Sequence, residues 1–155
     1  MKPKKWDVYL AGARHSRPVG EVVAERERAR MFCDMYDVSY YDPSLDEGLE
    51  HLSHDTIIDA KPDLALMQHY VHKDESHLEE CKALLVLTGD RSSSGTAWEM
   101  AKAYYDLNIP IFLVAPKMSR MELVNFTTIK ADFICATQEE AISLLANYLS
   151  IGGKE

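Results

Sequence analysis

The sequence predicts a three-layer α/β protein built on a five-stranded parallel sheet of the flavodoxin-like or Rossmann-like kind. Three observations predict it. Five short runs rich in Val, Leu, Ile, Tyr and Phe alternate with amphipathic stretches of helical spacing, the pattern of parallel strands joined by crossover helices. Two of the runs, ALLVLTG (83–89) and PIFLVAP (110–116), are almost continuously apolar, as strands covered on both faces are. A length of 155 residues, 46% hydrophobic and 27% charged, suits one domain, residues 1–155, around one core.

The elements follow in order. WDVYLAG (6–12) alternates and ends at a glycine, and reads as the first strand. From Gly20 to Tyr36, Val22, Val23, Ala29, Phe32, Cys33 and Tyr36 recur at helical spacing, which predicts the first helix. VSYYD (38–42) is a short second strand stopped by Pro43. Residues 44–62 are polar and carry no assignment. A helix is expected from about Pro62 to Lys82, with a possible break near Lys73, and the strand ALLVLTG follows it. The next helix is expected from Thr96 to Asn108, with Ala97, Met100, Ala101, Tyr104 and Tyr105 along one side. PIFLVAP is the fourth strand, ADFICAT (131–137) the fifth, and QEEAISLLANYLS closes the chain as an amphipathic helix.

Composition narrows the function. A formal net charge of −8 argues against a nucleic-acid polymer as partner, because binding a phosphate backbone needs a basic footprint. It leaves room for a single nucleotide held by a few local donors. No apolar run is long enough to span a bilayer, and the short MKPKKWDVYLAG start reads as a strand rather than a signal peptide, so no membrane partner is expected. Cys33, Cys81 and Cys135 are far apart in apolar surroundings, which predicts small buried hydrophobes in a reducing, cytoplasmic setting. His69 and His72, with Asp74 and His77 nearby, and His51 with His54, have spacings that zinc could use, but a polar helical face carries such histidines routinely; no metal is expected. A single Gly12 without GxGxxG makes an ordinary dinucleotide site improbable, and no cofactor is expected.

The richest segment is LTGDRSSSGTAWEM, Leu87 to Met100. One reading is purely structural: Thr96 and Glu99 have the spacing of a capping box, hydroxyl at the N-cap and carboxylate three residues on. The other is functional. In parallel α/β sheets ligands bind beyond the carboxyl ends of the strands, and both AGARHSRP and TGDRSSSGT lie at that edge. Arg91, Ser92, Ser93, Ser94 and the Gly95 amide are donors at a helix start, where the helix dipole favours an anion. The same potential favours an ionised Glu99, suited to act as a nucleophile, and its offset from Ala97 predicts that it points away from the apolar stripe. Asp90 could order the serine loop or bind a sugar hydroxyl. His15 reads as a ligand contact or a loop hydrogen bond, and Tyr104 and Tyr105 as core or subunit contacts.

With VYLAGARH at the first strand and strand–loop–GTxxE–helix around Glu99, the chain resembles the nucleoside 2-deoxyribosyltransferase-like superfamily, including the 2'-deoxynucleoside 5'-monophosphate N-glycosidases and the YtoQ-like proteins, from Val8 to about Asn125. The resemblance implies that Glu99 attacks the anomeric carbon and forms a glycosyl-enzyme, that Asp74 holds or protonates the departing base, and that Tyr9 lies near the sugar. Where the transferases carry an aspartate, this chain has Ser93; the monophosphate N-glycosidases also carry serine there, against the 5'-phosphate, and Arg14 fits the same role. Gly12, Asp90 and Gly95 complete the expected binding set. One departure is Glu122, in MELVNF, where the loop contributed by a neighbouring subunit usually has asparagine or serine. Cytokinin-activating phosphoribohydrolases share the GTxxE segment but follow a PGG absent here.

The expected activity is cleavage of the N-glycosidic bond of a nucleoside or its 5'-monophosphate, hydrolysis favoured over transfer, in a homodimer or larger assembly. A non-catalytic nucleotide-binding module of the YtoQ-like kind is the alternative.

Overall fold

The computed structural model describes residues 2–12, 17–46, 64–87, 94–115 and 130–152. Among them, five parallel strands form one sheet: β1 (Trp6–Ala11), β2 (Tyr40–Tyr41), β3 (Cys81–Val86), β4 (Ile111–Val114) and β5 (Phe133–Cys135), in the order β2-β1-β3-β4-β5. Among the described residues five α-helices accompany them: α1 (Val19–Met35), a single turn α2 (Pro43–Asp46), α3 (Leu64–Glu79), α4 (Ser94–Ala101) and α5 (Gln138–Gly152). The α/β class and the five-stranded parallel sheet agree with the sequence, and this strand order is the flavodoxin-like one of the two.

Alternate residues of each strand face opposite layers. Val8 and Leu10 of β1, Ala83 and Leu85 of β3, and Phe112 and Val114 of β4 pack under Ala29 and Cys33 of α1 and Ala141, Ile142 and Leu145 of α5. Tyr9, Ala11, Leu84, Val86, Ile111 and Leu113 pack under Leu78 of α3 and Met100 of α4. Phe112 stacks on Phe133 with centroids 4.7 Å apart, extending the first core toward the β5 edge. No described helix is long and apolar enough to cross a membrane.

Several boundaries differ from the sequence reading, each for a local reason. β2 pairs with β1 only at Val8↔Tyr40 and Tyr9↔Tyr41, because Pro43, which has no N–H for a ladder, instead starts the α2 turn. Helix α3 runs unbroken through Lys73 and ends at Glu79, and the backbone is already extended at Cys81. Helix α4 starts at Ser94, two residues earlier than expected, and its C-terminal continuation Lys102–Leu107 is wound as a π-helix. That wider turn ends at Asn108, which takes a left-handed conformation with φ 50°, and Ile109 N–H donates back to the Ala103 carbonyl at 3.1 Å.

Candidate functional site

The chain leaves β1 for β2 on one side and returns to β3 on the other, so the direction of winding reverses between β1 and β3. Their carboxyl ends adjoin: Ala11 is in register with Val86, and Leu87 N–H donates to the Ala11 carbonyl at 2.8 Å. A reversal of this kind opens a crevice above the strands, the usual ligand site of such sheets. β1 enters it at Gly12, which is buried and has φ 146°, a backbone region open to glycine and strained for other residues. Arg14, Asp90 and Ser93, expected to hold sugar or phosphate, lie outside the described residues, as do His15, Arg91, Ser92 and Glu122.

The start of α4 corrects the capping-box reading. With Ser94 already helical, Thr96 is an interior residue and almost fully buried, so it is not the N-cap, and Glu99 stands in the second turn rather than at the third position. The expected stripe of Ala97, Met100, Ala101, Tyr104 and Tyr105 is corrected too. The buried positions are Thr96, Met100 and Ala103, while Tyr104 and Tyr105 are exposed at 44% and 61% and form an edge-on pair under the Lys130 ammonium. They are not core residues. Glu99 is three residues after Thr96 and one before Met100, on the inward face of the helix rather than pointing away from it, and its Oε2 is shut off from solvent. Gly95 is exposed, and among the described residues nothing lies within 4 Å of where its side chain would begin, so the mouth of the helix is open at that point.

Asp74 is on α3, one turn before Leu78, which is 1% exposed against the sheet. Its neighbour Glu75 fastens α3 to α4: Trp98 Nε1 donates to Glu75 Oε1 at 2.8 Å. One turn further on, Lys102 Nζ donates to Glu79 Oε1 at 3.0 Å, and the Lys102 and Lys2 ammonium groups hold the Glu79 carboxyl below its usual range. Each expected catalytic carboxylate is thus adjacent in sequence to one partner of the Trp98–Glu75 bond. Leu78 of α3 and Met100 of α4 pack with Tyr9 on one face of the sheet, so the helices that carry Asp74 and Glu99 lie on the Tyr9 side.

Tyr9 is fully buried on that side, its hydroxyl included. It meets Tyr41 at 5.6 Å between ring centroids, and Tyr41 stacks on His77 at 4.1 Å. The Tyr41 hydroxyl donates to Asp46 Oδ2 at 2.7 Å, and Lys73 Nζ is 3.3 Å from the same oxygen; together they hold the Asp46 carboxyl below its usual range. His77 thus belongs to an aromatic stack, and among the described residues no three His, Cys, Asp or Glu side chains gather as a metal site. His69 and His72 are exposed, and His51 and His54 lie outside the described residues.

Compared with protein-family models and with curated proteins, the chain matches none. The site is therefore characterised by its own geometry. Sequence reading missed its most buried ionic group. Arg26 is 2% exposed in the middle of α1, and donates from Nη1 to the Leu10 carbonyl at 2.6 Å and from Nη2 to the Gly12 carbonyl at 3.2 Å. Asp42, whose side chain is wholly buried, lies 3.4 Å from Arg26 Nη1, accepts from Arg30 Nη1 at 2.6 Å, and accepts from the Ser44 amide and hydroxyl at 3.0 and 2.7 Å. The signal was present: Val22, Arg26, Ala29 and Cys33 form one helical stripe, and an arginine in an apolar stripe needs a buried partner. At the other end of the first loop, Arg17 makes a two-pronged pair with Glu25 at 3.1 and 2.9 Å, and Gln138 donates to the Glu25 carbonyl. Of the cysteines, Cys33 and Cys81 are buried, and burial pushes both thiols up to about 12; Cys135 is only half-buried.

Proposed function

We propose that the protein cleaves the N-glycosidic bond of a nucleoside or nucleoside 5'-monophosphate, by hydrolysis rather than transfer. The observation that carries the proposal is that α3, which bears Asp74, and α4, which bears Glu99, are fastened to each other by the Trp98–Glu75 bond on the face of the sheet that carries Tyr9. C1'–N cleavage develops positive charge on the sugar, and an enclosed carboxylate under C1' both stabilises that charge and can bond to it.

In the proposed sequence a Glu99 carboxylate oxygen attacks C1' as the C1'–N bond breaks. The base departs with the bonding pair and receives a proton, or a hydrogen bond to its developing charge, from Asp74. Water then adds to C1' and gives up one proton to the Asp74 carboxylate or to solvent, the ester bond to Glu99 breaks, and free sugar or sugar phosphate leaves with the Glu99 carboxylate restored. Tyr9, fully buried, supports the crevice from beneath rather than touching the sugar. Ser93, Arg14 and Asp90 are proposed to hold phosphate or hydroxyls, with the Gly12 and Gly95 backbones allowing close approach.

The test is incubation with a panel of nucleosides and their 5'-monophosphates, followed by chromatography for free base and for the sugar product. Release of base with stoichiometric free sugar supports hydrolysis. Base exchange without free sugar supports transfer. Binding without base release assigns the crevice to nucleotide binding alone.

A further inference from the structure

Arg26 takes the place of missing sheet. Alternate carbonyls of a parallel strand face the same neighbour. The Ala11 carbonyl faces β3, where it accepts from Leu87, so the Leu10 and Gly12 carbonyls face the β2 side. β2 has by then ended: Tyr41 is its last residue, and Pro43, two residues on, has no N–H to give. The Arg26 guanidinium supplies the donors instead, one to each carbonyl. Its own charge is balanced by Asp42, and Asp42 in turn binds Arg30 and the first turn of α2. The end of β1 is thereby fixed although its neighbouring strand has turned away.

From this geometry we infer that Arg26 is a positioning residue for the substrate: by holding the Gly12 carbonyl it sets where the backbone at the end of β1 stands at the crevice. The inference rests on the reading of that crevice as a nucleoside or nucleotide site, and deepens it. Arg26 is on α1, which packs on the opposite face of the sheet from α3 and α4, so it acts on binding and leaves the chemical step alone. Lysine cannot replace it, because one ammonium cannot reproduce a planar fork to two carbonyls.

Arg26→Lys tests this by steady-state kinetics on whichever panel substrate the wild type turns over, with far-ultraviolet circular dichroism to confirm folding. The expected result is a KM raised tenfold or more with kcat within threefold of wild type, the pattern of lost binding without lost transition-state contacts. An unchanged KM, or kcat falling as far as kcat/KM, overturns the inference. Should Arg26→Lys not fold, Asp42→Asn is read by the same split, with a smaller rise in KM expected; failure of both to fold overturns the inference and leaves the group a purely structural one. A wild type that binds a nucleoside 5'-monophosphate without turnover removes the catalytic reading only, and the inference is then read as a tenfold weaker Kd for that ligand in Arg26→Lys. A wild type that neither turns over nor binds any panel member overturns both.

Discussion

Gly12 shows how much one residue contributes at the point where a strand meets a ligand edge. Its φ of 146° is a conformation that a side chain at Cβ opposes, and its carbonyl is held by the buried Arg26. Gly12→Ala is expected to cost about 1 to 3 kcal/mol of stability, measured by urea denaturation, and to weaken substrate binding more than it slows the chemical step. Glu99 differs in kind. It stands beside the buried Met100 with its Oε2 shut off from solvent, and a carboxylate oxygen withdrawn from water is worth more to a cationic transition state than one in water. Its segment was legible in the sequence from the GTxxE pattern. Its direction is not, because Thr96 and Glu99 have the spacing of a capping box, which points to a helix start two residues later than the one at Ser94 and so to a different inward face. Arg26 does not stand out from the apolar positions of the first helix, because Glu25, Glu27 and Arg28 around it are charged as well.

Among the elements, the pairing of α3 with α4 matters most for the site. Trp98 to Glu75 and Lys102 to Glu79 clip the two helices at successive turns, and they do so on the flank of α3 next to Asp74. Replacing Glu75 with Ala removes the Trp98 acceptor at a partly exposed position. The expected loss of stability is about 1 kcal/mol or less, together with a drop in activity larger than that loss explains, because the spacing between the two carboxylate-bearing helices relaxes. Thermal denaturation and kcat/KM on the same preparation separate the two effects. The strands were the most legible elements: ALLVLTG and PIFLVAP are apolar throughout because helices cover both of their faces. β2 was legible in place but not in length, since Tyr40 and Tyr41 are all that pair before the chain turns at Pro43. The π-helical turn after α4 leaves no signature in hydrophobic spacing, because its extra residue per turn only shifts which tyrosines face water.

At the scale of the whole molecule, several ion pairs tie the amino-terminal segment and β1 to α3 and β3. Lys2 reaches Glu79 at 3.1 Å, and Lys82 reaches Asp7 at 3.0 Å. Burial acts upward on the Asp7 carboxyl, but the Ser39 amide and the Lys82 ammonium outweigh it and hold it below its usual range. Asp46, through the Tyr41 hydroxyl, and Glu79, through Lys102, are also held low. A carboxylate with a lowered folded-state pKa stabilises the fold fully above its unfolded pKa, and that contribution disappears as pH falls through the lower folded value. Stability is therefore expected to be flat near neutrality and to decline on acidification from about pH 5 to about pH 2, with α3 loosening along with it. Urea midpoints across that range check the sign: a midpoint that rises on acidification contradicts it. Asp46→Asn is expected to flatten part of the decline.

The central claim is that Glu99 forms the bond to the sugar. The measurement that tests it most directly is the initial rate of free-base release by the wild type and by Glu99→Gln, with substrate chosen from the panel and both proteins shown to be folded. The account expects the variant to lose about two orders of magnitude or more in kcat, with substrate binding largely kept. Base release at near wild-type rate in Glu99→Gln would contradict it.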